Sequence, residues 1–126
     1  MSYFTTSKFV KELTPADFTS QGTLKNTKCA VVMYYADWCP HCKSLKDEWE
    51  HLGKTAGFFD VLAFNCADSN NMEFLQLTQN QGLTEMIQGY PTIIFYQEGE
   101  PIEVYHDERK FEKLLGKCME VCRRGE

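Results

Sequence analysis

The amino-acid sequence predicts an α/β domain in which one mixed central sheet is flanked by helices on both faces. Three observations carry that prediction. The runs Cys29–Ala36 (CAVVMYYA), Val61–Ala67 and Thr92–Tyr96 (TIIFY) are apolar without alternation, as in strands covered on both sides. The segments between them space their apolar residues at the helical period. After the third run, Glu98-Gly99-Glu100-Pro101 reads as a turn that returns Ile102–Tyr105 as a hairpin partner.

In chain order, Lys8–Leu13 is a short extended run. Thr14-Pro15-Ala16-Asp17 then looks like a helix start, with Thr as cap, Pro in the first turn and an acid complementing the dipole. Residues 21–28 are polar and turn-like, and the first long strand follows. Asp37-Trp38-Cys39-Pro40-His41-Cys42 leads from it into a helix with Leu45, Trp49 and Leu52 on one face and Gly53 and Gly57 at its end. After the second strand, Asn70–Gln81 reads as a helix with Met72, Leu75 and Gln79 on one side. Tyr90-Pro91 leads into the third apolar strand. The last helix is expected from near Asp107, with Phe111, Leu114, Leu115, Cys118 and Cys122 on one stripe. No repeat or linker interrupts the order, so residues 1–126 read as a single domain.

Composition narrows the function. A chain of 126 residues with 43% apolar and 25% charged residues is neither disordered nor fibrous. No apolar run is long enough for a transmembrane helix. The opening MSYFTTSKFVKELT is polar and charged, unlike a signal peptide, so the expected location is cytoplasmic. Thirteen basic against eighteen acidic residues give a net charge of −5 with no basic patch, so neither nucleic acid nor a membrane is an expected partner.

The six cysteines are the informative count. Six in 126 is about 5%, below the roughly 8–10% of a disulfide scaffold. Without an export signal, they are read first as catalytic, metal-binding or buried thiols. Only Cys39 and Cys42 form a C-x-x-C. A zinc site would need a further ligand pair, which His41, His51 and His106 do not supply. A zinc-bound C-x-x-C stays as an alternative reading, and the expected metal content is none.

Disulfide exchange needs a thiolate attacker and a second thiol within reach. A C-x-x-C where a strand turns into a helix supplies both. Cys39 falls at the helix N-cap, where unpaired N–H groups and the positive dipole end favour a thiolate. Pro40 suits the first turn, where no N–H is needed. His41 adds positive charge beside Cys39. Cys42, one turn further in, is expected to be buried and less acidic. Position therefore makes Cys39 the nucleophile and Cys42 the resolving thiol.

The segment Tyr34-Tyr35-Ala36-Asp37-Trp38-Cys39-Pro40-His41-Cys42-Lys43 resembles the active-site segment of thioredoxins and protein disulfide isomerases. Gly89-Tyr90-Pro91-Thr92 resembles the family's second signature, where a cis proline faces the cysteines. Val10–Phe18 resembles the opening of disulfide isomerase catalytic domains. The resemblance covers nearly the whole chain. It implies a thioredoxin fold and an oxidoreductase that oxidises, isomerises or reduces protein disulfides. It implies substrate contacts at Trp38, Tyr90 and Pro91, and no cofactor beyond the redox-active Cys39/Cys42 pair. The implied partners are protein thiols and disulfides, with glutathione or a reductase as redox partner, and the expected state is a monomer. The Pro40-His41 dipeptide resembles that of the bacterial periplasmic oxidase, which implies a more oxidising pair than thioredoxin's.

Two departures from the family stand out. The buried acid usually found six residues before the first cysteine is Met33, and its lysine partner aligns with Phe64, beside Ala63. A water, Glu48 or another group must then manage the Cys42 proton. The arginine often found two residues before Tyr-Pro is Gln88, and the stretch from Gln79 to Ile87 is longer than usual and borders the substrate groove. A second function is therefore kept open, a thioredoxin-fold adaptor with vestigial redox activity. The remaining residues are read as structural. Cys118 and Cys122 pack on the last helix, Cys29 and Cys66 are inert core thiols, and the even cysteine count is a coincidence. Trp49 is core, His51 and His106 lie on the surface, and Arg123-Arg124 form a solvated helix end.

Overall fold

The computed structural model describes residues 1–77 and 80–124, the last two as backbone only. The expectations for Gln79 and for the side chains of Arg123 and Arg124 lie outside these residues. The elements are β1 (Lys11–Glu12), a single 3-10 turn (Pro15–Asp17), β2 (Cys29–Tyr35), α1 (Pro40–Thr55), β3 (Asp60–Asn65), α2 (Ser69–Leu75), α3 (Gln81–Met86), β4 (Thr92–Gln97), β5 (Glu100–Val104) and α4 (Phe111–Arg124).

The strands form one five-stranded sheet in the order β1-β3-β2-β4-β5. β1 and β2 run parallel to β3, and β4 runs antiparallel to β2 and β5. β2 is the central strand, and all seven of its residues are buried. Alternate β2 residues therefore serve two cores. Val31, Met33 and Tyr35 meet α1 and α4 through Leu45, Trp49, Leu52, Leu114 and Cys118. Ala30, Val32 and Tyr34 face the opposite layer, which holds Phe18, Phe64, Leu83 and Tyr96. Helices lie on both faces, as the unalternating apolar runs predict. Trp49 is fully buried as expected, and its indole N–H donates to the Leu62 carbonyl at 2.9 Å.

Several local expectations are corrected. The helix start at Thr14 goes no further than one 3-10 turn; the Asp17 carboxylate accepts the Thr14 N–H at 2.8 Å, and Phe18 leaves in extended geometry. α1 does not end at Gly53 but continues to Thr55. Gly53 is there for a close approach: a Cβ at this position would sit 2.5 Å from the Phe9 carbonyl oxygen. The helix expected over Asn70–Gln81 is α2, with α3 following as a separate helix. Its C-terminal carbonyls are taken by side chains, Phe74 O by Asn80 Nδ2 at 2.6 Å and Leu75 O by Thr84 Oγ1 at 2.7 Å, so the ladder stops. Met72 is exposed, and Asn71 is the buried residue, its amide donating to Asn65 O at 2.9 Å. The last helix starts at Phe111, whose N–H donates to the Glu48 carboxylate at 2.7 Å.

The largest correction concerns the cysteines. Cys29 and Cys122 are joined in a disulfide across a sequence separation of 93, with Cα atoms 5.7 Å apart. Cys29 is therefore not an inert thiol, Cys122 is not merely packed, and the even count is only partly coincidence. Cys29 is the first residue of β2, and α4 crosses the same sheet face, so the strand start and helix end meet. Cys66 and Cys118 are free and buried, as expected.

Candidate functional site

The site forms where β2 runs into α1. Tyr35 ends the strand, and the Cys39 N–H donates to Ala36 O at 3.0 Å to close the turn. Cys39 is the N-cap of α1 in extended geometry, and Pro40 takes the first helical position. Pro40 and His41 are exposed, Cys39 is 6% exposed, and Cys42 is fully buried. Opposite them, the Tyr90–Pro91 peptide is cis. The Cys39 Sγ lies 3.5 Å from Tyr90 O. Trp38, 65% exposed, sets its ring edge-on to Tyr90 with centroids 6.0 Å apart. The fold thus brings together Trp38, Cys39, Pro40, His41, Cys42, Tyr90 and Pro91.

The two thiols are electrostatically distinct. Burial alone would raise the Cys39 pKa, but the Cys42 N–H, the Cys42 thiol, the His41 N–H and the Arg109 charge together hold it below the ordinary value. Cys42 is pushed up to about 12, first by burial and then by its Cys39 neighbour, against the Ala36 N–H and Arg109. His41 contributes to this lowering through its backbone N–H.

Two further residues belong to the site. Arg109, in the charged run before α4, donates to Pro91 O at 3.0 Å and places its charge near both thiols. It ties the Tyr90–Pro91 loop to the helix side of the molecule. The sequence placed it only in the opening of the last helix, expected from near Asp107. Tyr3 stacks on Tyr35 with centroids 4.5 Å apart, and its hydroxyl donates to Asp37 O at 3.0 Å, bracing the turn that carries Trp38 and Cys39. A tyrosine so early in a polar opening carried no signal.

The position of the usual buried acid is apolar. Met33 pairs in register with Ala63 rather than Phe64, and both are fully buried. Phe64 faces the other core. Glu48 is occupied at the start of α4 by the Phe111 N–H. Gln88 donates to Glu85 O at 3.3 Å. Among the described residues, no three His, Cys, Asp or Glu side chains are grouped to hold a metal ion.

The sequence pattern of the thioredoxin family matches residues 9–120. The chain belongs to the thioredoxin family. It is 33% identical over 93 residues to mouse protein disulfide-isomerase A5, a match covering 69% of this chain and 16% of that protein. It is 34% identical over 84 residues to a thioredoxin-like protein of Fusarium culmorum, covering 67% of this chain and 64% of the relative. The chain thus spans less than two thirds of each relative's length. Among solved structures, the J-Trx1 fragment of ERdj5 superposes with a TM-score of 0.73 at 19% identity, over 95% of this chain and 55% of that one, a likeness of fold.

Proposed function

We propose that this chain is a thiol–disulfide oxidoreductase acting on protein thiols and disulfides through Cys39 and Cys42. The observation that carries the reading is two free thiols one turn apart at one helix start, Cys39 at the N-cap facing the cis Tyr90–Pro91 peptide and Cys42 buried behind it, with the Cys39 pKa lowered and that of Cys42 raised. In the reducing direction, the Cys39 thiolate attacks a substrate disulfide. A Cys39–substrate bond forms, and one substrate sulfur leaves as a thiolate that takes a proton. Cys42 loses its proton and attacks Cys39 Sγ; the second substrate sulfur leaves, and the Cys39–Cys42 disulfide remains. Two electrons pass from the pair to the substrate. Oxidation is the reverse, and isomerisation ends when a substrate thiol rather than Cys42 resolves the mixed disulfide.

Trp38, Tyr90 and Pro91 border the thiol where a substrate must lie. The low Cys39 pKa stabilises the dithiol and so favours the oxidising direction. Glutathione or a reductase serves as the redox partner that resets the pair. The Cys29–Cys122 bond supports a compartment where disulfides persist, against the cytosol expected from the sequence. Trapping with Cys42→Ser tests the function. A mixed disulfide at Cys39 with a protein substrate is expected, and no adduct together with no exchange on a small disulfide would refute it.

The adaptor reading is favoured by the apolar Met33–Ala63 pair, which puts no acid at this position to take the Cys42 proton. Partner capture that survives loss of both Cys39 and Cys42 would support it over exchange.

A further inference from the structure

Asn80 holds a buried oxygen that nothing in the chain uses. The residue is 2% exposed, and among the described residues its Oδ1 is the buried side-chain polar atom without a hydrogen-bond partner. Native proteins seldom leave such a group unpaired, because burial strips its water and replaces it with nothing. The rest of the residue is engaged. Nδ2 donates to Phe74 O at 2.6 Å, the backbone N–H donates to Leu77 O at 3.0 Å, and the carbonyl accepts the Thr84 hydroxyl at 3.1 Å. The Nδ2 bond also fixes which edge of the amide carries the oxygen. Asn80 is the N-cap of α3, where an asparagine oxygen ordinarily accepts a first-turn N–H, and it makes no such bond. Oδ1 is thus an acceptor held in place and unspent.

Asn80 lines a cleft of about 240 Å³ between α3, the loop before β2 and the start of β5. Leu83, Met86 and Pro101 give it an apolar side, and Gln21 and Glu100 a polar one. Among the described residues no Lys, Arg or His lines it. One wall is fixed by a close approach: the Leu24 N–H donates to Gly99 O at 2.9 Å, and a Cβ at Gly99 would sit 2.4 Å from Leu24 O.

We propose that this cleft binds a guanidinium group on an aliphatic stem, the end of an arginine side chain or of a free guanidine. Oδ1 calls for an N–H donor, and the exposed Glu100 carboxylate calls for positive charge. The apolar side suits a methylene stem. The volume is below the roughly 300 Å³ at which pockets take a whole drug-sized molecule, so it suits one side chain. A guanidinium spreads five N–H donors over a plane and can meet both acceptors at once. It is also more weakly hydrated than an ammonium, so it loses less on entering. A calcium-like cation would take about six or more oxygens, several of them carboxylates, and a single carboxylate lines this cleft. The net charge of −5 favours approach of a cation. None of this depends on the exchange chemistry of Cys39 and Cys42.

The test is an NMR titration of the full chain, labelled with nitrogen-15, with butylguanidinium and with butylurea, its uncharged counterpart. Butylguanidinium is expected to give saturable shifts at the Asn80 side-chain amide, Gly82 and Glu100, and butylurea none. Glu100→Gln, at an exposed position, should weaken the binding by about tenfold, the worth of one charge-assisted hydrogen bond. Asn80→Ala should abolish it. That variant also loses the bond to Phe74 O, so it is read only if its thermal denaturation shows a folded chain, and Glu100→Gln carries the test otherwise. No saturable shift at these three residues, an equal response to butylurea, or unchanged affinity in Glu100→Gln overturns the proposal. Shifts scattered over many carboxylates mean unspecific ion pairing and overturn it as well. A five-residue peptide of glycines around one arginine then separates the sources. Tighter binding than butylguanidinium supports an arginine on a partner chain, equal binding supports a free guanidine, and no binding of either overturns the site.

Discussion

Two cysteine pairs sit towards opposite ends of β2 and have opposite chemistry. At the start of the strand, Cys29 is bonded to Cys122 of α4. Past its end, Cys39 and Cys42 remain free thiols at the start of α1. The sulfur is the same, and the surroundings differ. Cys39 has the N–H groups of Cys42 and His41 and the Arg109 charge around it, which stabilise a thiolate. Cys29 has a partner fixed by the meeting of a strand start and a helix end, with β2 to β5 in the loop closed between them. Reactivity here comes from unpaired backbone donors and charge, and permanence from topology.

The largest expected contrast separates exchange from stability. Cys39→Ser is expected to abolish exchange on a small disulfide. Cys29→Ser paired with Cys122→Ser keeps exchange but costs about 2–4 kcal/mol in urea denaturation, the usual worth of a disulfide closing a long loop. Equal loss of exchange in both cases would erase the distinction between the pairs.

A pH series sharpens it next. Cys42 and Cys66 are each pushed up to about 12, chiefly by burial. Above the ordinary thiol value of about 8.5, the unfolded chain releases these protons while the folded chain holds them. The folded state then binds more protons, so the reduced protein loses stability as pH rises from about 8.5 towards 12. Cys39 has the opposite sign, because its lowered pKa adds stability above that pKa. With Cys39 and Cys42 oxidised, Cys42 no longer titrates, and denaturation midpoints should fall less steeply over this window.

Arg109→Gln probes the charge. It removes a cation near Cys39, so the pH midpoint for alkylation of Cys39 should rise, by about one unit at most, given its place behind the backbone donors. An unmoved midpoint would leave the backbone N–H groups as the whole cause. The smallest effect is expected from Tyr3→Phe. It keeps the stacking on Tyr35 but loses the hydrogen bond to Asp37 O, costing about 0.5–1.5 kcal/mol in thermal denaturation.

How much of this could be read from the residues follows from the range of the signals. β2, β3 and β4 were legible because burial on both faces leaves a continuous apolar run, and Cys39 at a helix cap was legible because its neighbours in sequence are its neighbours in space. Arg109 and Tyr3 reach the site from distant segments, and nothing local marks a charged side chain aimed at Pro91 or a tyrosine bracing Asp37. The Cys29–Cys122 bond has the same character: its cause is α4 crossing the sheet, which no spacing encodes. The register error that set Phe64 against Met33 is a one-residue slip, and it moves a side chain to the other face. The break between α2 and α3 was hidden because Asn80 and Thr84 end α2 by side-chain bonds that look like ordinary polar residues.

The central claim is that Cys39 and Cys42 differ in acidity because of where α1 begins. It is tested most directly by alkylating the reduced protein across pH and reading the modified positions by mass spectrometry. Cys39 should react with a midpoint below that of an ordinary cysteine, while Cys42 stays unmodified until strongly alkaline pH. Equal midpoints for the two, or earlier reaction at Cys42, would contradict the account.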